Sequence, residues 1–447
     1  MNRPCWGRYP TAEDQEVLPV FWSHQLPDLR AQGRSFLPRG LGRSYGDSCL
    51  NPGGTLLDMV PMDRLLRFDP VTGLLQCEAG VSLDTLLRVF VPRGFFLPTT
   101  PGTRFVTVGG AIANDVHGKN HHQVGTFGAL VRRLELARSD GSRVVCSREE
   151  HGDLFRATIG GLGLTGIITW AEFPLVPIDS HGIESESIKT RDLDEFFDLS
   201  EASEADWPFI VSWVDVTASG RGLGRGLFNR GRFASREWAE RLPEDRRLLP
   251  PKEPRLSVPF DLPGFLLNPF TIRWFNRLYY AKQFRDRVHA VGHFEPFFYP
   301  LDAIRDWNRG YGKRGFLQWQ CLVPWDQARP GIRGILQEVA ASGLGSPVSV
   351  MKTCGAMAPE GLLSFMQGRG VTLAMDFPMS GQDVLDLCER LDARVRDVGG
   401  AVYPAKDARM SPASFRAFFP RLEEFLRHRD PALSSGFWRR VMPQEVW

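Results

Sequence analysis

Hydrophobic positions in the first part of this 447-residue chain come in short extended runs separated by glycine turns. Residues 35–60 alternate such runs with glycines, and residues 74–81 read as a strand. Ser82 is placed to cap a helix over 83–92, with Leu83, Leu86 and Leu87 on one face. Alternating residues on both sides of Asp140–Gly141 predict a hairpin over 134–145. A short helix near Leu154 and an apolar strand over 167–175 follow. Residues 1–30 lack periodicity and read as an arm packed over this first unit. Many short strands and few helices give an α+β fold class.

The pattern changes after Pro177. Residues 181–204 are acidic, 208–217 read as a strand, and 221–255 are strongly basic. Residues 256–284 are apolar and aromatic but interrupted by Pro259, Pro263 and Pro269, so they do not form one long helix. Two readings stand for this segment. It is either a loop folded onto the core, or a mobile lid or membrane-touching loop beside a basic patch, suited to a lipid-linked anionic substrate. Residues 316–324, 347–354 and 371–378 read as three strands of one sheet, covered by helices over 331–341 and 383–398. In the second helix Val384, Leu387, Leu391, Val395 and Val398 keep helical spacing and Gly399 closes the end. A short strand over 401–404 and a final helix over 415–428 complete the chain, which contains no internal repeat.

Composition narrows the function classes. Hydrophobic content of 43% and charged content of 24% are those of a soluble globular protein. Net charge is +2, from 54 basic and 52 acidic residues, which argues against nucleic acid as a general partner. The seven cysteines are odd in number and contain no CxxC pair, as expected of reduced thiols. The amino-terminal residues lack an apolar signal region and no apolar run reaches transmembrane length, so the expected location is cytoplasmic or peripheral on the cytoplasmic membrane, with the periplasmic side left open.

The chemistry concentrates in residues 101–128, PGTRFVTVGGAIANDVHGKNHHQVGTFG. Successive glycine turns present backbone N–H groups to phosphate oxygens, so this stretch is expected to wrap a pyrophosphate-bearing cofactor. Arg39-Gly-Leu-Gly-Arg-Ser-Tyr-Gly-Asp47 makes a second loop of the same kind. Gly161-Leu-Gly163-Leu-Thr-Gly166 matches GxGxxG but precedes a strand and lacks a βαβ rhythm, so it reads as a turn approaching the cofactor rather than a Rossmann site. His117, His121 and His122 have no companion acid or thiol ligand, and Gly118 interrupts their spacing, so no metal is expected. With no GxSxG, HExxH or Walker A sequence, hydrolase and NTPase readings lose their anchors.

PRGLGRSYGD, PGTRFVTVGGAIANDVHGKNHH with GTFG, GGLGLTGI and YPAKDAR occur in this order. Together they resemble the vanillyl-alcohol-oxidase/p-cresol-methylhydroxylase (PCMH) family of FAD enzymes over nearly the whole chain. The resemblance implies a PCMH-type FAD-binding domain over residues 1–180. A substrate domain built on an antiparallel sheet is inserted at 181–400, and the 401–447 segment returns to the FAD domain. It implies FAD contacts from Arg39, Gly40, Leu41, Gly42, Arg43, Ser44, Tyr45, Pro101, Gly102, Thr103, Thr107, Val108, Gly109, Gly110, Ala113, Asn114, His117, Gly118, Asn120, His122, Gly125, Gly161, Gly163, Gly166, Ile167, Tyr403 and Lys406. Relatives that bind flavin covalently do so through a histidine where this chain has Arg43, and a guanidinium cannot form that bond, so the FAD is expected to be non-covalent. Lys406, His117, Tyr45 and Lys119 are the implied catalytic residues, and Gln318, Gln320, Lys352 and Thr372 the implied substrate contacts. Lys406 leads as base if burial or neighbouring lysines depress its pKa. Mycobacterial members carry Asn and Cys where this chain has Thr372 and Ala374. The implied reaction oxidises a secondary hydroxyl of a polyprenylphosphoryl-linked pentose to a keto sugar, the first half of a 2′-epimerisation, with an NAD(P)H-dependent short-chain reductase finishing it and peripheral membrane contact through 256–284. The alternative is a soluble alditol or sugar-lactone oxidase of the same family.

Overall fold

The computed structural model describes residues 3–30 and 33–444. Three sheets carry the architecture. Glu16–Pro19, Thr55–Asp58 and Phe36–Arg39 form a parallel three-stranded sheet with Thr55–Asp58 in the middle. Leu65–Phe68, Leu74–Glu78, Ile167–Pro174, Arg133–Ala137 and Arg143–Ser147 form an antiparallel five-stranded sheet in that order. The Arg133–Ala137/Arg143–Ser147 hairpin turns at Asp140–Gly141 as the alternation predicts. Ser82 caps the helix Leu83–Phe90 by accepting from the Thr85 N–H, and Leu83, Leu86, Leu87 and Phe90 are its buried face.

The third sheet has eight strands, all antiparallel: Arg287–His293, Gly182–Thr190, Gly226–Phe233, Phe209–Val214, Ser349–Cys354, Gly370–Pro378, Phe316–Pro324 and Ala401–Val402. Successive side chains on a strand point to opposite faces. Leu317, Trp319, Cys321 and Val323 therefore pack with Ile332, Ile335, Leu336 and Val339 of the helix Trp325–Ser342 and with Val384, Leu387, Leu391 and Val395 of Gln382–Asp397. Gln318 and Gln320, on the other face, turn toward the cavity described below. Trp325–Ser342 begins ahead of Pro330, earlier than residue 331. The expected final helix over 415–428 is instead two short ones, Pro412–Phe418 and Leu422–Leu426, and Gly436–Val441 follows.

The acidic and basic runs have a simple structural basis. Gly182–Thr190 pairs with Gly226–Phe233, which sets Glu184 opposite Arg232 and Glu186 opposite Arg230, and both pairs form ion pairs. Arg225 is likewise bound to the buried Asp215. These arginines of the basic run are consumed inside the sheet and do not form a patch beside 256–284.

That segment is not simply a loop. Pro269 sits at the first turn of a 13-residue helix, Pro269–Ala281, where the ring is tolerated. Asn268 and Thr271 close a capping box around it. The helix buries Ile272 and Asn276, while Phe270, Trp274, Phe275 and Leu278 are exposed. Among the described residues no helix is long and apolar enough to cross a membrane.

Candidate active site

One cavity of about 320 Å³ runs between the 39–45 loop, the 101–117 stretch, the turn at 163–166 and the cavity face of the eight-stranded sheet. That size falls in the range of cofactor and substrate sites. Arg39, Gly40, Leu41, Gly42, Arg43, Ser44 and Tyr45 line one side, and Pro101, Gly102, Thr103, Thr107, Gly109, Gly110, Ala113, Asn114 and His117 another. Gly163 and Gly166 come from the GxGxxG turn. Gln318, Gln320, Lys352, Thr372, Tyr403 and Lys406 close it from the sheet and the segment after it.

The glycines allow the close approach of these segments. A Cβ on Gly40 would collide with Thr107 Oγ1, and one on Gly42, whose φ is +64°, would meet the Arg39 guanidinium. Thr107 caps the helix Val108–Ala113 through the Gly110 N–H. Arg43 lies over the Trp6 ring at 3.9 Å, and burial lowers its pKa against the attraction of Asp302.

On the sheet side, Gln320 Nε2 donates to Thr372 Oγ1 at 3.0 Å and lies 3.1 Å from His117 Nε2. Lys352 Nζ donates to the Gly118 carbonyl at 2.8 Å. The Lys406 ammonium stands 3.9 Å from the centre of the Tyr45 ring, and the Tyr45 N–H donates to the Ala405 carbonyl at 3.0 Å, which joins the two loops. The Tyr403 hydroxyl donates to the Asn114 carbonyl at 2.6 Å. Burial brings Lys352 down to about 8, and burial with Lys352 nearby brings Lys119 down to about 7. His117 is held well below the usual histidine range by burial, then by Lys352, so it is neutral. Burial also lowers Lys406, opposed by Asp376.

Several expected residues stand apart from the cavity lining. Lys119 Nζ donates to the Phe298 carbonyl at 2.9 Å. Asn120 bonds to Thr99 and to the Pro98 carbonyl, and His122 Nε2 lies 2.9 Å from the Trp207 carbonyl. Gly118 offers its carbonyl to Lys352, Gly125 ends the short helix His121–Val124, and Gly161 packs against the Ala157 carbonyl. Val108 and Ile167 are core residues. These groups hold the lining segments in place. Trp6, Asp302 and Trp307 line the cavity without having been expected, because the chain brings them from its amino-terminal stretch and from the 300–307 segment, both far in sequence from the motifs. Alternation along Gly370–Pro378 does signal one further residue. Thr372, Ala374 and Asp376 share a face, and Asp376 lies fully buried behind the cavity.

The FAD binding domain family matches residues 26–147. Over 421 residues, 93% of this chain and 89% of the other, the sequence is 38% identical to the decaprenylphosphoryl-β-D-ribose oxidase of Mycolicibacterium smegmatis. The chain belongs to the decaprenylphosphoryl-β-D-ribose oxidase family. It is an FAD-dependent oxidoreductase with an FAD-binding domain of PCMH type in an α+β fold. An uncharacterized protein of Streptomyces coelicolor is 30% identical over 81% of this chain and the whole of its own length. A putative D-arabinono-1,4-lactone oxidase of Neurospora crassa shares 32% identity over 31% of the chain.

The cavity of this family member suits the flavin nucleotide on its own chemistry. Arg39 Nε, Ser48 Oγ and His117 Nδ1 line it as buried polar atoms with no hydrogen-bond partner among the described residues. A ligand rich in acceptors and donors satisfies them, and the side-chain-free backbone at Gly40, Gly42, Gly109 and Gly110 admits a diphosphate closely.

Proposed function

We propose that this protein oxidises a secondary hydroxyl of a polyprenylphosphoryl-linked pentose to a ketone, with Lys406 as the base. The observation that carries the reading is the Lys406 ammonium, lowered in pKa by burial, 3.9 Å from the Tyr45 ring in a cavity shared with the flavin-cradling loops. The similarity to the mycobacterial oxidase supports the substrate class.

Bound FAD supplies the acceptor for the electron pair and hydrogen of the substrate C–H bond. The chain's own residues do the rest. Neutral Lys406 takes the hydroxyl proton onto Nζ while the carbon–oxygen bond becomes a carbonyl, so the two transfers together balance. Gln318, Gln320 and Thr372 orient the sugar, and neutral His117 and Tyr45 hydrogen bond its remaining hydroxyls. Lys352, with a proton at neutral pH, attracts the phosphate end. Arg43 in place of a histidine leaves the flavin non-covalent. In this proposal residues 1–180 and 401–447 hold the cofactor and 181–400 the substrate. The arrangement is supported by the eight-stranded sheet, seven of whose strands lie between Gly182 and Pro378, while the eighth, Ala401–Val402, joins it from just past residue 400. A separate NAD(P)H-dependent short-chain reductase consumes the keto product. The exposed aromatic face of Pro269–Ala281, flanked by Arg273, Arg277 and Lys282, supports peripheral membrane contact where the lipid tail resides.

Anaerobic addition of substrate to the purified holoenzyme tests this. Bleaching of the oxidised-flavin band by polyprenylphosphoryl ribose and not by free ribose or xylitol is the expected result. Bleaching by the free polyol moves the protein to the soluble-sugar oxidases.

A further inference from the structure

Asp376 is a carboxylate that the reaction scheme above leaves unused. It lies on Gly370–Pro378 opposite Gln318 of Phe316–Pro324 and is fully buried. Its Oδ1 accepts from Gln318 Nε2, its Oδ2 accepts from the Tyr311 hydroxyl at 3.4 Å, and its backbone N–H donates to Ser346 Oγ at 2.8 Å. A buried carboxylate is retained against a large desolvation cost only where other groups compensate it. Gln318, which this carboxylate holds, lines the same cavity as Lys406, and the Lys406 charge favours the ionised carboxylate.

We propose that Asp376 is the positioning residue of the site: it fixes the Gln318 amide with its nitrogen turned away from the substrate and stands as the counter-charge to the Lys406 ammonium. This inference rests on Lys406 as the base. When Lys406 accepts the hydroxyl proton it becomes a cation inside a cavity that already holds Lys352, whose charge opposes it. Asp376 supplies the negative charge that offsets both burial and this repulsion. The other groups facing the pair are accounted for. Lys406 also meets the Tyr45 ring from the 39–45 loop and His117 from the 101–128 stretch. Asp376 also meets Tyr311 and Tyr45, both of which burial holds as neutral phenols. Burial raises Asp376 and lowers Lys406, and each partner opposes the shift of the other.

The test is Asp376→Asn in the holoenzyme, which keeps the shape and one acceptor oxygen but removes the charge. Loss of a neighbouring negative charge disfavours the ammonium, so Lys406 deprotonates at lower pH. The pH midpoint of Lys406 acetylation, read by mass spectrometry, is expected to fall by about one unit, a factor of ten in that equilibrium. The acid limb of kcat/KM is expected to move the same way. An unmoved acetylation midpoint overturns the proposal, whatever happens to turnover. A moved midpoint in a protein inactive on lipid-linked sugar supports the pairing and removes only the proposed substrate. If Asp376→Asn does not fold, the pairing is read from the other partner. In Lys406→Met the protonated-carboxyl band in the infrared spectrum should persist to higher pH than in wild type. An identical titration overturns the proposal.

Discussion

A lysine can act as a base near neutral pH only when its surroundings disfavour the ammonium, and at Lys406 burial does this first, with Lys352 adding to it. The expected outcome for Lys406→Met is a fall in kcat of about 10²–10⁴-fold, the usual contribution of a positioned base. The flavin content should stay unchanged, because the cradle is made by other segments. The acid limb of the wild-type pH profile, where turnover rises as Lys406 loses its proton, should vanish in the variant. Steady-state kinetics from pH 5 to 9 check both. At this scale the motifs were good guides. Tyr45, His117, Lys352 and Lys406 do come together around one cavity, because each lies in a turn or strand whose glycine or alternation pattern fixed its direction. Lys119 and His122 share the same motif and point elsewhere, since adjacent residues in a tight turn face different ways and no pattern in the sequence ranks them.

Two loops must touch for the site to exist, and a glycine permits the contact. A Cβ on Gly46 would collide with the Asp407 carbonyl oxygen, at the junction where the Tyr45 N–H reaches Ala405. Gly46→Ala therefore separates the Tyr45 loop from the Lys406 turn. It should cost about 1–3 kcal/mol of stability, as overpacking does, and lower kcat more than that loss alone explains. Thermal melting and turnover of the same preparation separate the two effects. The helix Pro269–Ala281 carries the opposite kind of feature, a face with too little cover. Trp274 and Phe270 are exposed, so replacing both by Ser should leave melting within about 0.5 kcal/mol of wild type. Cosedimentation with anionic lipid vesicles should drop several-fold in the same variant. Equal cosedimentation removes the membrane role. This helix also marks a limit of reading elements from sequence. Three prolines argued for a loop, but Pro269 occupies the one helical turn in which its missing N–H costs nothing. The edge strand Arg287–His293 was hidden for a different reason, because its residues are almost all exposed and show no inward face.

Over the whole molecule, buried ionisable groups of opposite habit set the pH range of stability. Lys119 and Lys352 fall to about 7 and about 8 in the fold, while in the unfolded chain they titrate near the ordinary lysine value. Between these limits the unfolded state binds more protons, so stability rises as pH climbs from about 7. The thiols act in reverse. Burial pushes Cys146 up to about 11 and Cys321, Cys354 and Cys388 up to about 12, against an ordinary thiol value of about 8.5. Above 9 the folded state therefore keeps protons that the unfolded chain releases, and stability falls with further rise in pH. Raised carboxyls such as Asp392, brought to about 7 by burial against the pull of Arg409, still release protons from the fold up to about pH 8 and oppose the lysines there, so the net rise is read above that range. The melting temperature should therefore pass through a maximum between about pH 8 and 9. Replacing Cys321 and Cys388 by Ala should flatten the alkaline descent, because two of the proton-holding groups are gone, even if the cavities lower the curve as a whole. Calorimetric scans at half-unit intervals from pH 6.5 to 10.5 check the shape. A curve that descends throughout from pH 7 to 9 shows that the lysines bring their protons into the fold, and the lowering of Lys119 and Lys352 by burial would then be wrong.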